Sequence, residues 1–482
     1  MCRKKVKAYL TVYLSLTLTV LLSLCLTLIE GARRSCIRLE TECITDIGLH
    51  SVCGEYHREV FRQYDLFLID SSYGTSVPTY CNTQARLEDY ILQNMDLKTT
   101  GYFDFVYKDL LGTELLDVYI DKVAFASDDE GRRIQKKAAK AMLDETGIGL
   151  AEDMLEWVGV VEQDKLLEYD VASERQEINR DIEERVEAKK KEDEEKWYSI
   201  EMPDLLGYLN GLISDGLLYG MLEGEKISAQ VVDVSQYISA RRKNGLLSVG
   251  NAPAADTVTP TERVLFHAYL IQHLGRYGQE KENGLLAYQV EYVLNGYRSD
   301  KENLAATMWK LCNLRSAANL LFLYSDQGKR AAVQGVATTV AAAILMPELE
   351  VLIESSLMLG WAYVEGMYDV KVLLKGGKIP LIKTAEDWHY DLDSILESAD
   401  MQVMGKEQKG LSYAEYLQIF LFLASGENSA FRFMDIVEMD VRQTAGNQEF
   451  RIDGCIDYLE VTAIYKSRFD YRHVVRLQKG YE

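Results

Sequence analysis

The chain opens with an apolar run that no charge interrupts. Residues 8–29 hold 22 uncharged side chains, and as a helix they would extend about 33 Å, which matches a hydrocarbon core of roughly 30 Å. Tyr9 and Tyr13 lie near one end of the run, where aromatic side chains favour the headgroup level. The pattern predicts a transmembrane helix over residues 8–29.

Two other targeting signals fit this segment poorly. A cleaved signal peptide has a shorter apolar region and small residues at its cleavage site, whereas residues 30–32 (Glu-Gly-Ala) would place a carboxylate at the −3 position. A lipoprotein signal is disfavoured because Leu24, before Cys25, is large. A buried helix of a soluble protein is disfavoured by the length of the uncharged run, so we expect an uncleaved anchor.

Basic residues flank the run on both sides and predict its orientation. The cluster before the run is denser and contains no acid, whereas an acid lies among the basic residues after it. Because cytoplasmic flanks carry the excess of Lys and Arg, we expect residues 1–7 inside the cell and the body outside. The residues compared are Arg3, Lys4, Lys5 and Lys7 before the run, and Glu30, Arg33, Arg34 and Arg38 after it.

A hydroxyl side chain recurs at every fourth position of the run, at Thr11, Ser15, Thr19, Ser23 and Thr27. This spacing keeps the hydroxyls on one slowly drifting stripe of the helix. Small residues at this spacing let a second membrane helix approach closely, and their hydroxyls can form hydrogen bonds across the contact. Alternatively, each hydroxyl bonds to the carbonyl four residues earlier in its own helix. Both interpretations stay open, and the first predicts self-association or docking to another membrane helix.

Beyond the membrane the pattern predicts a mainly helical α+β body. A helical period continues to about residue 62, so we expect a long exit helix after the anchor. Residues 115–125 alternate as a strand, and residues 450–469 and 471–478 are typical of an antiparallel pair of strands at the C-terminus. Residues 331–346 are apolar but too few to span a membrane, so we expect a buried helix there.

Local signals predict several helix boundaries. Ser127 and Thr261 are candidate N-caps of the helices that follow them. A break is expected at residues 147–149, where glycines flank Ile148, and a further helix is expected from Ser412 to Ala424.

The charge pattern divides the body into consecutive segments. Residues 161–200 are rich in charge and have only a thin apolar stripe, which predicts a solvated helix or a weak coiled coil. They separate a membrane-proximal α+β region, residues 30–160, from a distal helical domain, residues 201–482, that ends in the two strands.

The net charge of −22 narrows the range of partners. Residues 1–38 carry seven basic residues and one acid, which leaves 46 basic and 74 acidic residues in the rest of the chain. An acidic body repels nucleic acid and anionic lipid headgroups, so non-specific binding to either is disfavoured. The partners we expect are the lipid bilayer around the anchor, other membrane helices and a second copy of the chain.

The sequence contains no motif typical of a hydrolase, a phosphate-binding loop or a zinc site. His50, Cys53 and His57 fall on one helical face, but they span roughly 10 Å, too far for one ion to reach both histidines. The densest polar cluster around a histidine comprises Asp387, His389, Asp391 and Asp393. An Asp-rich helix start explains that cluster without catalysis, so we expect no catalytic residue, metal site or cofactor.

Four cysteines follow the anchor and are candidates for disulfides if the body lies outside the cell, namely Cys36, Cys43, Cys53 and Cys81. Cys36 and Cys43 lie two helical turns apart, about 10 Å, which is too far for a disulfide within one helix. Bridges to a second subunit, a Cys53–Cys81 pair and buried thiols all remain open.

The N-terminal segment resembles one known family, and the whole chain resembles another. The basic start, the anchor with Val12-Tyr13-Leu14 and the exit sequence LIEGAR (28–33) resemble the N-termini of TadE/TadG-like proteins of the tight-adherence (Flp) pilus apparatus. The whole chain, with the phrase QYDLFLID (63–70), is similar to an uncharacterised domain family of Gram-positive anaerobes. The resemblance implies a bacterial surface protein that serves in such a pilus system.

The anchor departs from the pattern of pilin precursors. Those precursors carry Gly before the apolar run and Glu at its fifth position, whereas this chain has Lys7 and Val12 there. Processing by a prepilin peptidase is therefore disfavoured. The leading hypothesis is a non-enzymatic assembly or scaffold protein; the main rival is a membrane-anchored sensor or ligand-binding ectodomain, and the third is an anchored hydrolase.

Overall fold

A computed structural model describes residues 3–75, 77–95, 111–147, 149–192, 227–282, 284–392, 409–424 and 426–480. Their helices are α1 (Arg3–Gly54), α2 (Arg58–Tyr64), α3 (Tyr80–Met95), α4 (Arg132–Thr146), α5 (Gly149–Gln163), α6 (Val171–Glu192), α7 (Ile238–Lys243), α8 (Pro260–His273), α9 (Gln289–Asn295), α10 (Asp300–Ser325), α11 (Gln327–Ala343), α12 (Glu350–Leu374), α13 (Tyr413–Leu423) and α14 (Gly426–Arg442). Their strands are β1 (Ile69–Asp70), β2 (Glu114–Phe125), β3 (Lys378–Ile379), β4 (Leu411–Ser412), β5 (Cys455–Ser467) and β6 (Tyr471–Gly480). The predicted mainly helical α+β class is confirmed.

The chain forms two compact units. Unit 1 comprises Met1–Arg133, Leu246–Ala255 and Thr444–Glu482, and unit 2 comprises Ile134–Gly245 and Asp256–Gln443. Unit 1 therefore contains both ends of the chain, and the units divide the chain differently from the consecutive segments that the charge pattern predicted. The reason is pairing between distant strands, which a segment-by-segment pattern does not record.

The strand β5 lies at the centre of the sheet in unit 1. β2 pairs antiparallel along one edge, where Val118 lies opposite Ala463, and β1 and β6 pair antiparallel along the other. The C-terminal pair β5–β6 and the strand near residues 115–125 are confirmed. The sequence did not predict that β2 and β5 pair with each other.

The helix α1 is continuous over 52 residues, about 78 Å at 1.5 Å per residue. Its first half is exposed, and its second half packs against α3 and the sheet of unit 1. Ile37, Leu49 and Val52 are at most 1% exposed, so the exit part of the helix has a buried face. Leu49 and Val52 join the same hydrophobic core as Ile456 and Val461 of β5.

The exit helix ends earlier than predicted. α1 ends at Gly54, and a second helix, α2, starts at Arg58. The His57 side chain accepts a hydrogen bond from the backbone N–H of Val60 and so caps α2. The prediction of one helix to residue 62 is wrong because this cap stabilises a new helix start within the periodic pattern.

The helix α12 is the central helix of unit 2. It packs against α6, α10 and α11, and almost all of its side chains from residue 356 onward are buried. The apolar stretch expected as a buried helix is α11, which buries only the face formed by Val333, Ala337 and Ala341. That expectation therefore holds for one face of α11.

The charged helix α6 packs against α12 and belongs to the core. Ile182 and Val186 are at most 3% exposed, and the Ser356 hydroxyl of α12 donates a hydrogen bond to Asn179. The prediction of a solvated helix or weak coiled coil is therefore wrong here, because one narrow apolar stripe is enough to pack on a buried helix. Residues 193–200 of that predicted segment lie outside the described residues.

Two predicted N-caps differ from the structure. Thr259 caps α8 in place of Thr261, and its side chain and that of Glu262 form a reciprocal capping box. Asp128, not Ser127, occupies the N-cap position of the turn before α4. The break after α4 is confirmed at Gly147, which has a φ of +74°. The helix predicted from Ser412 is α13, and Ser412 caps it.

Three ion pairs join four charged side chains inside unit 2. Arg315 donates to Asp369 at 3.0 Å, and Lys383 lies 2.5 Å from both Asp369 and Glu365. All four side chains are fully buried. The two positive and two negative charges compensate one another, so the cluster is stable only as a complete set.

Replacement of Lys383 by Met should destabilise unit 2 by about 3–5 kcal/mol, because two buried carboxylates lose their shared cation. Denaturant unfolding of the full chain in detergent, read by the fluorescence of Trp388, measures the change, since this indole lies 5.8 Å from the Lys383 ammonium. The matched control is the exposed Lys378→Met, which should change the free energy of unfolding by less than about 0.5 kcal/mol. Equal effects of the two variants would contradict the prediction.

Candidate functional site

The first candidate site is the exposed surface of α1. Among the described residues, α1 is the helix long and apolar enough to cross a membrane. The side chains of its apolar run, from Tyr9 to Ile29, are almost all exposed to solvent. Packing among the described residues therefore does not account for their hydrophobicity, whereas a membrane span or a signal anchor would.

The hydroxyls of the stripe bond within their own helix. Thr19 donates to the carbonyl of Ser15 at 2.8 Å and Thr27 to that of Ser23 at 2.8 Å, while Ser15 bonds to Val12. Back-bonding to the carbonyl four residues earlier is therefore observed at Thr19 and Thr27, and Ser15 bonds to the carbonyl three residues earlier. It does not exclude helix packing, because each hydroxyl oxygen retains a lone pair and each side chain stays small and exposed.

A groove on α1 follows the C-terminal part of the stripe. Each step of four residues advances about 40° around the helix, so Thr11 and Thr27 lie about 160° apart and no single straight partner contacts all five hydroxyls. The residues that line the groove are Thr19, Leu22, Ser23, Leu26, Thr27, Glu30, Gly31 and Arg34. The described lining thus includes Thr19, Ser23 and Thr27 of the predicted stripe, and it continues to Gly31.

The end of the apolar run carries a charged cluster. Glu30 accepts hydrogen bonds from Arg33 at 2.8 Å and from Arg34 at 2.9 Å. These bonds, first that from Arg33, lower the pKa of Glu30 to about 2, so its carboxylate is charged throughout the physiological range. The side chains of Arg3, Lys4, Lys5 and Lys7 lie outside the described residues.

The basic residues after the run also contact the turn between β5 and β6. The Arg33 guanidinium donates to the carbonyl of Arg468 at 3.3 Å and lies over the Phe469 ring at 5.3 Å. Arg34 lies over the Tyr471 ring at 5.0 Å, and Arg38 Nε donates to the Tyr471 hydroxyl at 3.3 Å. Sequence reasoning assigned Arg33 and Arg34 to topology alone, since their partners lie more than 430 residues away.

A buried hydrogen bond fixes the exit helix to the central strand. The Thr45 hydroxyl and the Tyr465 hydroxyl lie 2.7 Å apart, and both side chains are fully buried. Thr45 also donates to the Thr41 carbonyl at 2.7 Å, so the Tyr465 hydroxyl is the donor across the contact. No pattern in the sequence identified this pair.

The predicted cysteine and histidine groups do not come together. Cys53 is buried in the core of unit 1, whereas Cys81 lies at the exposed start of α3, so the two do not form the intramolecular pair that was one open prediction. Cys36 and Cys43 are exposed. His50 lies beside Lys479, and His57 caps α2, so the three residues predicted on one helical face do not share a helix.

The polar cluster around His389 is structural in its described part. Asp387 accepts hydrogen bonds from Thr384 in a reciprocal cap of a short turn, and the His389 ring stacks on Tyr368 at 3.9 Å. The backbone N–H of His389 donates to the buried Glu365 carboxylate. Asp391 is exposed, and Asp393 lies outside the described residues.

A second candidate site is a basic cleft of about 590 Å³ in unit 2. Its described lining includes four cations and no carboxylate, although the chain has a net charge of −22. The cations are Arg242, Lys243, Arg298 and Arg432. At the margin, Arg242 pairs with Glu427 at 2.9 Å. A cleft of this size and sign suits an anionic ligand.

The buried carboxylate of Asp435 lies behind the basic cleft and bonds to two residues of its lining, Ser239 and Tyr292. Asp435 accepts hydrogen bonds from the Ser239 amide and hydroxyl and from the Tyr292 hydroxyl. Burial raises the pKa of Asp435 to about 6, although these hydrogen bonds oppose the rise. Arg432 donates to two carbonyls at the end of α9 and approaches Gly296 so closely that any side chain there would clash.

A neighbouring acid, Glu291, is fully buried on α9. One of its oxygens accepts hydrogen bonds from the Tyr277 amide at 3.0 Å and the Tyr413 hydroxyl at 2.8 Å, and the other oxygen has no partner among the described residues. Burial raises the pKa of Glu291 to about 7. Its carboxyl group is therefore partly protonated near neutral pH.

Residues 145–467, about two thirds of the chain, match the profile of a family described as "Family of unknown function (DUF5702)". The chain belongs to this family. No curated protein and no solved structure matches it significantly. The expected membership of an uncharacterised family is thus confirmed.

The DUF5702 match extends from the end of α4 to the end of β5 and includes the basic cleft. The anchor and the exit helix lie outside it. The similarity of the anchor to tight-adherence pilus proteins therefore stays a prediction from the N-terminal residues.

The stability of the folded chain should fall as pH rises from about 4.5 to about 7, because Glu291 binds its proton more tightly in the folded state than in the unfolded state. Below this window the contribution is fully present, and above it the contribution is lost, on the order of 3 kcal/mol. Asp435 acts in the same direction at lower pH.

The variant Glu291→Gln keeps an oxygen for both donors and carries no charge. At pH 5 it should be about as stable as the native chain, and at pH 8 it should be more stable by up to roughly 3 kcal/mol. Guanidinium unfolding at both pH values measures the difference. A variant that is less stable than the native chain by the same amount at both values would contradict the account.

Proposed function

We propose that the chain is a single-pass membrane-anchored surface protein that acts as a non-enzymatic assembly or scaffold component of a pilus- or secretion-type apparatus. In this proposal the apolar run of α1 is a permanent anchor with residues 1–7 in the cytoplasm, and the rest of unit 1 and all of unit 2 lie outside the cell. The proposal rests on the surface of α1 and on the resemblance of the N-terminal residues to tight-adherence proteins.

The groove of α1 is the observation that carries this proposal. Thr19, Ser23, Thr27 and Gly31 follow one another at four-residue spacing along it, and this spacing suits a right-handed crossing of two membrane helices at about −40°. A helix that served only to attach the protein to the membrane would not need small side chains at a regular four-residue spacing. A laterally packed helix explains them.

Replacement of Thr19 and Ser23 by Leu should weaken lateral association of the anchor, because the larger side chains fill the groove. Membranes that contain the full chain are treated with a crosslinker, and the adducts are isolated through a tag on the chain. We expect an adduct with a second copy or another membrane protein, reduced several-fold in the double variant, since each interhelical hydroxyl contact contributes on average about 0.6 kcal/mol.

The matched control is Thr17→Leu, at a similar membrane depth and about 120° around the helix from Ser23. Its hydroxyl also bonds within the helix, so the control removes the same chemistry outside the groove. The adduct should persist in this variant. An adduct that is absent from the native chain, or equal in both variants, argues against a lateral partner in the groove.

The basic cleft favours a second function, that of a membrane-anchored ectodomain that binds an anionic ligand. Lys243 and Arg298 are exposed at the cleft and can approach a ligand without loss of an internal role. Arg432 instead stabilises the end of α9 through two carbonyls. The two exposed cations are therefore the residues whose replacement separates binding from folding.

Inorganic pyrophosphate serves as a probe for this cleft in calorimetric titrations of the full chain in detergent. The variant Arg298→Gln should weaken its binding about tenfold, the effect of one charge-assisted hydrogen bond. The exposed Lys375→Gln, outside the cleft, should leave the affinity unchanged. Binding that both variants weaken equally, or no binding by the native chain, removes the support for this second function.

A further inference from the structure

We infer that the turn between β5 and β6 lies in the headgroup layer of the membrane and binds anionic lipid headgroups. The inference rests on the proposed anchoring by α1. It concerns the three residues Arg468, Phe469 and Asp470, which join the two strands, together with Arg472 on β6. All four are exposed.

The contacts along α1 show that the turn points toward the anchor. Thr45 meets Tyr465 on β5, Arg38 meets Tyr471, and Arg33 meets the Arg468 carbonyl. The closer a residue of the hairpin lies to the turn, the closer its contact on α1 therefore lies to the apolar run. From Thr45 to Arg33 the helix covers about 18 Å, so the hairpin follows the exit helix down to its first turns.

The position of Arg33 sets the height of the turn. Arg33 follows Ile29, the last residue of the apolar run, by four positions, which corresponds to about 6 Å along the helix axis. The polar layer of each leaflet is roughly 5–8 Å thick. The Phe469 ring lies 5.3 Å from the Arg33 guanidinium carbon, so the turn is at the level of the headgroups when the apolar run fills the hydrocarbon core.

The side chains of the turn suit that layer. Phe469 is 87% exposed, the highest value among the large hydrophobic side chains of the described residues, and aromatic rings partition to the membrane interface. Its φ of +63° is one that glycine or asparagine adopts more readily. Arg33 contacts this exposed ring, and insertion of its remaining surface into lipid would remove that surface from water.

The charges near the turn differ from those of the whole chain. Arg468 and Arg472 are exposed, and Arg34 and Arg38 contact Tyr471, which lies between Arg468 and Arg472 in the chain. Asp470 pairs with Lys466 at 3.1 Å, and Glu30 pairs with Arg33 and Arg34. At physiological salt, screening limits the electrostatic reach of a surface charge to about 8–10 Å. The acidic residues farther along the chain therefore do not cancel these cations. The expected repulsion of anionic headgroups, which followed from the net charge of −22, therefore does not apply at the turn.

The test places a photoreactive residue in the turn of the full chain. Phe469→p-benzoyl-L-phenylalanine is reconstituted in vesicles of phosphatidylglycerol and phosphatidylcholine and irradiated. We expect a lipid adduct, and a lower yield of it when the vesicles contain phosphatidylcholine alone, because the basic residues then lose their anionic partners. The matched control carries the same residue at Gln478, exposed on β6 and about 23 Å farther from the turn, where no lipid adduct should form.

Flotation of the vesicles distinguishes failure of the proposed anchoring from failure of the inference about the turn. If the chain does not float with the vesicles, the anchoring is overturned and the inference with it. If the chain floats but residue 469 forms no lipid adduct, or only adducts with protein, the inference alone is overturned. Equal lipid adducts at positions 469 and 478, or equal adducts in neutral and anionic vesicles, also overturn it.

Discussion

The packing of the exit helix on strand β5 is the contact on which the rest of unit 1 depends. One face of α1, from Ile37 to Val52, is buried against α3 and the sheet, and the Thr45–Tyr465 hydrogen bond links helix and strand inside the core. A polar pair buried at the centre of an apolar contact favours one register, because any slip would leave the buried Tyr465 hydroxyl without its acceptor. The anchor and the sheet are therefore one rigid element.

This rigidity has a functional consequence for an anchored protein. A flexible linker would allow the body to rotate freely above the membrane, whereas a continuous helix holds the groove of α1 and the sheet of unit 1 in one fixed orientation. A helix that packs against the groove would be held in a defined orientation relative to unit 1. That is the property that the proposed assembly component needs, and with the proposed anchoring it would also bring the turn after β5 to the membrane surface.

Sequence patterns predicted the elements better than their partners. The helix over the apolar run, the C-terminal strands and the start of α13 each follow from local periodicity or capping, and the structure confirms all three. The pairing of β2 with β5 and the contacts of Arg33 with the distant turn depend on residues more than 300 positions apart, and no local pattern contains that information. The charged helix α6 was misread for a related reason: its burial depends on α12, which supplies the matching surface.

Hydrogen exchange of the full chain in lipid nanodiscs tests most directly whether α1 is one continuous helix from the membrane into the sheet. Slow exchange of the backbone amides from residue 30 to residue 45, without a gap, is the predicted result, because every one of these amides is bonded within the helix and the second half is packed. Fast exchange confined to residues 30–36 would reveal a hinge at the membrane surface. A hinge there would contradict the rigid coupling of anchor and sheet.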